Sequence, residues 1–342
     1  MRAMAMRAHG GPEVLKLEEL PDPEAGPGQV LIQVKAVALN HLDIWVRRGW
    51  PALKLAFPHI PGADVAGRVE RVGAGVEGVR EGDEVLVNPG ISCGRCRECL
   101  SGRDQACRSY VLLGEHVSGG YAELVAVPAE NVVPKPRNLG FEDAACIPLV
   151  FLTAWHALVD RAQLRPGETV LVHAGGSGVG SAAIQIAKLL GARVITTAGT
   201  AEKCRRALEL GADEAIDYVE RDFLAEVKRL TGKRGVEVVF EHVGKSTWEK
   251  SVLALRNGGR LVTVGATTGW DPPTDLRHVF YRGLSILGST MGPKGELFDI
   301  VKLVEEGKLR PILDRVLPLA EAARAQQLLE ERAQFGKIVL RP

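Results

Sequence analysis

The stretch that decides the fold is Gly167–Lys188, GETVLVHAGGSGVGSAAIQIAK. It predicts an apolar strand, a glycine-rich turn and an amphipathic helix in immediate succession, which is the context that a dinucleotide-binding turn requires. Ser177 stands where the G-x-G-x-x-G fingerprint has its middle glycine. The N–H groups that open the predicted helix remain available for a pyrophosphate. The candidate cofactor-binding residues of this turn are Gly175, Ser177, Gly178, Val179 and Gly180.

A glycine-rich turn also closes strands onto helices in proteins that bind no nucleotide, so the surrounding pattern decides its interpretation. After Pro166, apolar runs such as ARVITT, VEVVF and GRLVTVG alternate with helical segments such as AEKCRRALEL. This alternation predicts a parallel sheet with helices on both faces. We therefore predict an α/β domain that binds a dinucleotide.

The segments on either side of this domain have a different pattern. Gln29–Val87 is rich in valine, alternates apolar and polar residues and is interrupted by glycine and proline, which predicts strands joined by turns. Beyond Ser289, two helical segments lead to a last predicted strand, GKIVLRP. A chain of 342 residues exceeds the usual size of a single hydrophobic core. We expect two domains, and the C-terminal tail is a candidate to join the first one.

The charge balance excludes some classes of partner. The chain has 43 basic and 42 acidic residues, with a formal net charge of +1, so no overall field attracts nucleic acid or an anionic membrane. No apolar run reaches the roughly 18 residues that cross a bilayer, and Met1–Gly10 lacks the apolar core of a signal peptide. We expect a cytoplasmic protein with a small-molecule substrate and no nucleic-acid or membrane partner.

Four of the six cysteines lie close together, in the spacing C-x2-C-x2-C-x7-C. Four thiolates at short spacing, in a loop with few apolar side chains, are typical of a closed tetrahedral zinc site. The alternative is a group of reduced, solvent-facing thiols, which oxidise readily. We expect the isolated Cys146 and Cys204 to be unreactive. The residues predicted to hold one structural zinc ion per chain are Cys93, Cys96, Cys99 and Cys107.

Together these features resemble the medium-chain dehydrogenase/reductase superfamily, which includes the zinc alcohol dehydrogenases and the quinone oxidoreductases. The resemblance covers the whole chain, from MRAHGGPEVLKLEELPDPEAGPGQVLIQVKAVALN through PHIPGADVAGRVERVGAGVEGVREGDEV to GKIVL. It implies a GroES-like β-barrel catalytic domain from residues 1–150 and 290–342, with the zinc lobe at 91–108, and a Rossmann doubly wound parallel-sheet domain from residues 151–289. It also implies a homodimer or homotetramer formed through the edge of the Rossmann sheet.

In the alcohol dehydrogenases of this superfamily, a catalytic zinc is held by a Cys, a His and a third Cys or acidic residue. The resemblance places Asn40, Ala63 and Leu149 at those positions, and Leu42 at the proton-relay hydroxyl. The spacing Asn40-x2-Asp43 instead resembles the quinone oxidoreductase branch. We therefore expect hydride transfer to a conjugated carbonyl without a catalytic zinc. The side chains nearby in sequence that still offer a metal ligand are Asp43, Asp64 and His59.

The resemblance also implies roles for single residues, each with a structural alternative. The candidate catalytic residues are Asn40, Asp43 and Thr153. The alternative for Asp43 is a structural carboxylate, and the alternative for Thr153 is a helical threonine whose hydroxyl bonds to the preceding turn. His41 resembles a basic residue that contacts the cofactor pyrophosphate, and a hydrogen-bonded loop histidine is the equal alternative. The aromatic candidates for the substrate pocket, with core packing as the alternative, are Trp45 and Trp50. The remaining candidate cofactor contacts are Gly265, Ser289 and Lys337.

The end of the second predicted Rossmann strand indicates which cofactor binds. In ARVITTAGTAEK, Ala198 stands where NAD-dependent enzymes have a ribose-binding acidic residue. No carboxylate is there to repel a 2′-phosphate, so we predict a preference for NADPH over NADH. Gly199, Thr200 and Lys203 offer small, hydroxyl and cationic groups to that phosphate, and Tyr218 resembles a family residue that contacts it. The alternative for Lys203 is an ordinary solvated helix residue.

These observations leave three possible functions for the protein. Our prediction is an NAD(P)H-dependent reductase of quinones or enones that uses no catalytic zinc. The alternatives are a zinc-dependent alcohol dehydrogenase and a non-enzymatic NADPH-binding protein. A metal count per chain separates the first two, and turnover of NADPH with a simple quinone separates the first from the third.

Overall fold

The computed structural model describes residues 1–342 and divides into two compact units. The first unit consists of Met1–Leu149 and Pro293–Pro342, so it is built from both ends of the chain. The second unit is the continuous segment Val150–Gly292. None of the helices has both the length and the apolar character needed to span a bilayer.

The chain forms strands and helices throughout, joined by loops and short 3-10 turns. The strands are β1 Arg2–Ala5, β2 Lys16–Glu19, β3 Gln29–Ala38, β4 Asp64–Val72, β5 Glu84–Val87, β6 Gly90–Ile91, β7 Val111–Leu112, β8 Leu124–Pro128, β9 Val132–Pro134, β10 Thr169–Val172, β11 Arg193–Ala198, β12 Glu214–Asp217, β13 Val236–Glu241, β14 Leu255–Thr263, β15 Ser285–Gly288, β16 Leu313–Pro318 and β17 Lys337–Arg341. The helices are α1 His41–Arg48, α2 Arg97–Leu100, α3 Phe141–Ala145, α4 Pro148–Trp155, α5 Gly178–Leu189, α6 Ala201–Glu209, α7 Phe223–Leu230, α8 Trp248–Ala254, α9 Leu276–Tyr281, α10 Lys294–Glu305 and α11 Ala322–Glu330.

The second unit contains a six-stranded sheet in the order β12-β11-β10-β13-β14-β15, and every neighbouring pair in it is parallel. Its central strands are buried on both faces: β10 and β13 have no exposed residue. The chain runs outward from β10 to β12 and then returns to β13 beside β10, which creates the switch point where doubly wound sheets bind their ligands. The predicted Rossmann fold is confirmed.

The first unit contains a seven-stranded sheet in the order β16-β17-β3-β4-β5-β9, with β8 also paired to β3. The ten-residue strand β3 organises it. One edge of β3 pairs with β4, and the other edge pairs with β8 near its start and with β17 near its end. This is the predicted GroES-like domain. The pairing of β17 with the end of β3 places the C-terminal strand next to the loop that enters α1.

Local sequence explains where the helices of the two units begin. Asn40 precedes α1, and its backbone N–H donates to the Asp43 carboxylate at 2.8 Å, as in a capping box. Ser177 and Thr200 cap α5 and α6 by accepting a backbone N–H of the first turn. Each of these caps sits at a position singled out from the sequence, so local helix formation fixes the candidate site residues in place.

One element was not anticipated from the sequence. Helix α4 continues into a six-residue π-helical segment, His156–Arg161. Its last side chain, Arg161, donates from Nε to the carbonyl of Gly288 at 2.9 Å. Hydrophobic periodicity does not distinguish a π segment from an α-helix of the same composition, because both bury one apolar face.

Candidate active site

Three buried polar side chains meet in the first unit. The ammonium of Lys337 lies 2.7 Å from Oδ1 of Asn40 and 2.8 Å from Oδ2 of Asp64. The amide nitrogen of Asn40 donates to the same Oδ2 of Asp64 at 2.9 Å. Their exposed fractions are 3% for Lys337, 6% for Asn40 and 0% for Asp64. A closed triangle of hydrogen bonds therefore links the start of α1, β4 and β17.

Asp43 lies one helical turn from Asn40 and belongs to the same polar cluster. Its Oδ2 accepts the backbone N–H of Asn40 and the hydroxyl of Tyr121, the latter at 3.1 Å. Its Oδ1 is buried and has no hydrogen-bond partner. Burial raises the pKa of Asp43 to about 6, although the hydrogen bond from Asn40 and the charge of Lys337 both oppose that change.

The family resemblance puts zinc ligands at three positions, of which two donate hydrogen bonds to Asp64 and the third precedes Asp64 in the chain. Asn40 bonds to its Oδ2, and the backbone N–H of Leu149 donates to its Oδ1 at 2.7 Å. Ala63, the third position, is its neighbour in the chain and is fully buried. From the sequence, Asp64 was named beside the second of these positions but was not identified as the shared hydrogen-bond partner of Asn40 and Leu149.

The aromatic and basic candidates around α1 have defined surroundings. The ring of His41 packs edge-on against Trp45 at 5.2 Å between centroids. Leu42 and Trp50 pack against the hydrophobic core of the first unit. These contacts support the alternative of core packing for Trp50, and no specific contact supports its predicted place in the wall of a substrate pocket.

The far end of α1 is fixed by a buried arginine that the sequence did not single out. Arg47 donates to Oε1 of Gln326 at 2.9 Å and to Oε1 of Glu330 at 2.6 Å, both on α11. Arg47 is 1% exposed, so these bonds are withdrawn from water. A single charged residue in an amphipathic helix carries no sequence signal of burial.

In the second unit, the glycine-rich turn closes β10 onto α5. A Cβ on Gly175 would lie 2.3 Å from the Thr196 hydroxyl, and one on Gly180 would lie 2.3 Å from the carbonyl of Ala174. The outer glycines are therefore required by the packing of strand against helix. Ser177 accepts the N–H of Gly180 at 2.9 Å, which leaves the open N–H groups of Gly178 and Val179 at the start of the helix. This arrangement fits a phosphate group.

A buried polar network begins at His173, immediately before this turn in the chain. It was not predicted from the sequence. His173 contacts the hydroxyls of Thr197 and Ser251 at 3.2 and 2.9 Å. Ser251 in turn donates to Glu241 at 2.7 Å, and Glu241 also accepts the backbone N–H groups of Val243 and Gly244. Burial lowers the pKa of His173, which favours the neutral ring. The network ties the carboxyl ends of β10, β11 and β13 together.

The candidate phosphate contacts follow β11 directly. Ala198 is the last residue of the strand, and Thr200 caps α6 by accepting the N–H of Lys203 at 3.2 Å. A Cβ on Gly199 would lie 2.6 Å from the hydroxyl of Tyr218, so the tyrosine packs against this glycine. Gly199, Thr200, Lys203 and Tyr218 are thus brought together around one helix N-terminus.

The remaining candidates of the second unit are Thr153, Ser289 and Gly265, and the last two both contact Thr263. Thr153 of α4 is buried, and its hydroxyl contacts the sulfur of Met291 at 3.7 Å. The N–H of Ser289 donates to the carbonyl of Thr263, while its hydroxyl oxygen is buried without a partner. The carbonyl of Gly265 accepts the hydroxyl of Thr263 at 3.3 Å. The unpartnered Ser289 hydroxyl has capacity for a ligand.

The four predicted zinc ligands form one compact cluster. The sulfur atoms of Cys93, Cys96, Cys99 and Cys107 all lie within 4.8 Å of one another, and two of the separations are 3.5 and 3.9 Å. Tetrahedral zinc with thiolate ligands needs sulfur separations of about 3.8 Å. The N–H groups of Arg95 and Cys96 lower the pKa of Cys93 to about 6. The geometry and the donor set fit zinc.

The cysteine lobe is anchored to the rest of the first unit by Lys294. Its ammonium donates to Ser92 at 3.1 Å and to Glu130 at 2.7 Å, and its backbone N–H donates to Asp104 at 3.0 Å. The two other cysteines, Cys146 and Cys204, lie outside the cluster, and burial raises the pKa of both thiols. Both are therefore held in the protonated, less nucleophilic form.

Comparison with known proteins places the chain in a family. Residues 26–137 match the model of the alcohol dehydrogenase GroES-like domain, and residues 178–306 match that of the zinc-binding dehydrogenases. A NAD-dependent alcohol dehydrogenase of Sulfolobus acidocaldarius is 34% identical over 348 residues, covering 100% of this chain and 99% of that protein. The chain belongs to the medium-chain dehydrogenase/reductase superfamily.

Two further proteins show the range of this similarity. The quinone oxidoreductase of Rattus norvegicus is 32% identical over 348 residues, covering 99% of this chain and 97% of that protein. The solved structure of a NAD-dependent alcohol dehydrogenase is 56% identical, covers 100% of both chains and superposes with a TM-score of 0.97. The chain is an NAD(P)-dependent oxidoreductase, and it uses a nicotinamide cofactor.

Proposed function

We propose that this oxidoreductase reduces a conjugated carbonyl, a quinone or an enone, with NADPH and without a catalytic zinc. The observation that carries the proposal is the triangle of Asn40, Asp64 and Lys337. The resemblance puts Asn40 at one of the metal-ligand positions of the alcohol dehydrogenases and Ala63, the chain neighbour of Asp64, at another. Asn40 offers an amide where those enzymes have a Cys thiolate, Ala63 offers no ligand where they have a His, and the buried ammonium of Lys337 contacts Asn40.

The donor set does not match a catalytic zinc, which takes three ligands from Cys, His, Asp or Glu and keeps one position open. Both oxygens of Asp64 already accept hydrogen bonds. His59 is engaged through Nε2 with the carbonyl of Gly114 at 3.1 Å. Oδ1 of Asp43 is then the remaining carboxylate oxygen without a bond. One such oxygen is too few to hold the ion.

A saturated alcohol must lose its proton as hydride leaves, and zinc assists that step by stabilising the alkoxide. A quinone or enone is already polarised and needs orientation and a hydrogen-bond donor at its oxygen. Asn40 can be that donor, because its second amide hydrogen makes only a 3.5 Å contact with the carbonyl of Ala38. A nicotinamide cofactor, when bound, would supply the hydride, and water would supply the proton.

The preference for NADPH is part of this proposal. Its support is the end of β11, where Ala198 offers no carboxylate and the capped N-terminus of α6 carries Thr200 and Lys203. The N-terminus of a helix favours negative charge, so a 2′-phosphate suits this place. His41, Gly265, Ser289 and Thr153 stay predicted contacts of the cofactor or substrate.

We also propose that the cysteine lobe holds one zinc ion per chain. Four thiolates leave no open coordination position, so the ion would fold the lobe and take no part in the chemistry. The tight sulfur cluster and its anchor at Lys294 support this role. The cytoplasmic location predicted from the sequence stays a prediction.

A homodimer is the assembly that we propose, formed along β15. This strand ends the six-stranded sheet, so its outer edge has no partner within the chain. Large apolar side chains are exposed on it and in the segment before it, namely Trp270, Leu276, Phe280, Tyr281 and Ile286. An open strand edge beside an apolar patch favours pairing with a second copy. Light scattering should show a dimer for wild type and a monomer for Ile286→Lys. A monomeric wild type would refute the proposed homodimer.

The experiment that tests the proposed function combines turnover with a metal count. Wild-type protein is assayed with NADPH and NADH against a panel of quinones, enones and simple alcohols, before and after a chelator that spares the cysteine site. We expect reduction of quinones or enones that the chelator does not change, with about one zinc per chain. Loss of activity restored by added zinc, or efficient alcohol oxidation with a second bound metal, would establish the alcohol dehydrogenase alternative.

A further inference from the structure

A buried lysine needs a physical reason, because taking an ammonium out of water costs several kcal/mol unless it is well paired. Lys337 opens β17 among apolar residues, and its side chain is almost completely buried. A buried ion pair is weak evidence for stability, since apolar residues of similar volume often serve as well. The partners of Lys337 therefore deserve a functional explanation.

The first partner, Asn40, has its orientation fixed by the lysine. An ammonium can only donate hydrogen bonds, so the amide oxygen of Asn40 must face Lys337 and the amide NH₂ must face Asp64. Without that donor, the amide could rotate by half a turn and present its oxygen in the opposite direction. The lysine thereby selects the rotamer in which Asn40 can donate a hydrogen bond.

The second partner, Asp64, has its charge neutralised. Its carboxylate is fully buried, and the other donors to it, Asn40 and the N–H of Leu149, are uncharged. Lys337 is the cation in contact with it, at 2.8 Å. Asp64 would otherwise place a negative charge beside any oxygen that gains charge during the reaction.

We infer that Lys337 is a built-in cation that replaces the catalytic metal of the zinc dehydrogenases, acting as a positioning residue through Asn40. It holds the amide as a donor, polarises it, and cancels the charge of Asp64. This role rests on the proposed metal-free reduction and differs from the cofactor contact that the sequence predicts for Lys337. It also means that the cluster of Asn40, Asp64 and Lys337 already contains a positive charge. This cluster should therefore bind no divalent ion besides the zinc of the cysteine lobe.

The test compares three variants with wild type. Lys337→Met removes charge and donor at similar volume, and Lys337→Arg keeps both. The matched control is Lys135→Met, because Lys135 is a second lysine of the first unit with a buried side chain and a carboxylate partner, Glu84. The readouts are kcat and KM with a quinone, the Kd of NADPH and the melting temperature.

We expect Lys337→Met to lower kcat by about 100-fold, in the range seen when one oxyanion donor is lost, and to change the Kd of NADPH less than about threefold. Lys337→Arg should recover most of that loss, while Lys135→Met should lower the melting temperature and leave kcat unchanged. An unchanged kcat in Lys337→Met would make the lysine purely structural. A rise in the Kd of NADPH at constant kcat would make it a cofactor contact.

A cobalt titration keeps the inference testable where Lys337→Met does not fold. Wild-type protein with zinc in its cysteine site should show no new visible absorption on addition of Co²⁺, and a tightly bound cobalt ion in addition to that zinc would overturn the inference. Wild type that reduces no quinone or enone refutes the proposed function. Wild type that does so, with Lys337→Met equally active, refutes only the role of Lys337.

Discussion

The ammonium of Lys337 lies 2.8 Å from a carboxylate oxygen of Asp64, and both side chains are withdrawn from solvent. The two residues are 273 positions apart in the chain, on the first strand position of β17 and of β4. This pair joins the C-terminal tail to the N-terminal part of the first unit. Its integrity should therefore govern the stability of that unit as well as its chemistry.

The first prediction concerns this pair. Asp64→Leu leaves the ammonium of Lys337 with Asn40 as its acceptor, and breaking a buried pair from one side typically costs about 3–5 kcal/mol. Urea denaturation should show a loss of this size in the free energy of unfolding. The control Glu202→Gln breaks the exposed pair with Arg205 and should leave stability unchanged. Equal stability of wild type and Asp64→Leu would mean that water replaces the lost partner.

Much of the fold could be predicted because its signals are local. The strand, turn and helix around Gly175 and the spacing from Cys93 to Cys107 are each contained in a short stretch of sequence. The contact of Lys337 with Asn40 joins residues 297 positions apart, and no local pattern in the sequence predicts it. Tyr121, which donates to Asp43, was missed for the same reason. The family resemblance singled out Asn40 and Asp43 of this site, but it named Lys337 only as a candidate cofactor contact.

The second prediction follows from the pKa of Asp43, which burial raises from its ordinary value of 3.8 to about 6. The folded state then holds this proton more tightly than the unfolded state, so the contribution of Asp43 to stability falls as pH rises from about 4 to 6 and is constant above. The loss is on the order of 3 kcal/mol. Asp43→Asn removes this pH-dependent loss, so the variant should gain stability relative to wild type as the pH rises from about 4 to 6.

Denaturation of both proteins in urea between pH 4 and pH 8 measures this difference. Glu220→Gln, an exchange at an exposed acid of the second unit, is the control and should parallel wild type. A difference between Asp43→Asn and wild type that is the same at every pH would show that Asp43 is charged in the folded state throughout.

The third prediction tests the cysteine lobe. Cys93→Ser/Cys96→Ser removes two of the four clustered sulfur atoms, so bound zinc should fall from about one per chain to near zero. The lobe should then become sensitive to trypsin at its exposed arginines, because little apolar packing remains to hold it. Cys204→Ser, outside the cluster, should keep its zinc. Elemental analysis after gel filtration decides, and full zinc retention in the double variant would place the ion elsewhere.

The fourth prediction concerns the choice of cofactor at the end of β11. Ala198→Asp introduces a carboxylate beside the site proposed for the 2′-phosphate, where like charges repel by several kcal/mol. The ratio of kcat/KM for NADPH to that for NADH should fall by about 100-fold or more. Lys203→Ala should harm NADPH selectively, whereas Lys228→Ala on α7 should not.

One carboxylate already lies near this strand end. Asp217 of β12 is in register with Ala198, but its Oδ1 accepts the backbone N–H of Val219 at 3.0 Å. Asp217→Asn should therefore leave the cofactor ratio unchanged. A wild type that uses both cofactors equally, or favours NADH, would contradict the preference and would direct attention to Asp217 as the ribose-binding acid.

The last prediction concerns Asn40, the proposed hydrogen-bond donor to the substrate oxygen. Removing one such donor typically lowers kcat by about 10²–10³-fold, because the charge that develops in the transition state then lacks its partner. Asn40→Ala should therefore nearly abolish quinone reduction while the affinity for NADPH stays close to that of wild type. Asn131→Ala is the matched control: Asn131 is also a buried amide of the first unit, and it donates to the carbonyls of Asn88 and Gly90 at 2.7 and 2.6 Å. That variant should lose stability and keep its kcat. If Asn40→Ala behaves in the same way, losing stability but not rate, then Asn40 only holds the loop before α1, and the donor to the substrate must be sought elsewhere.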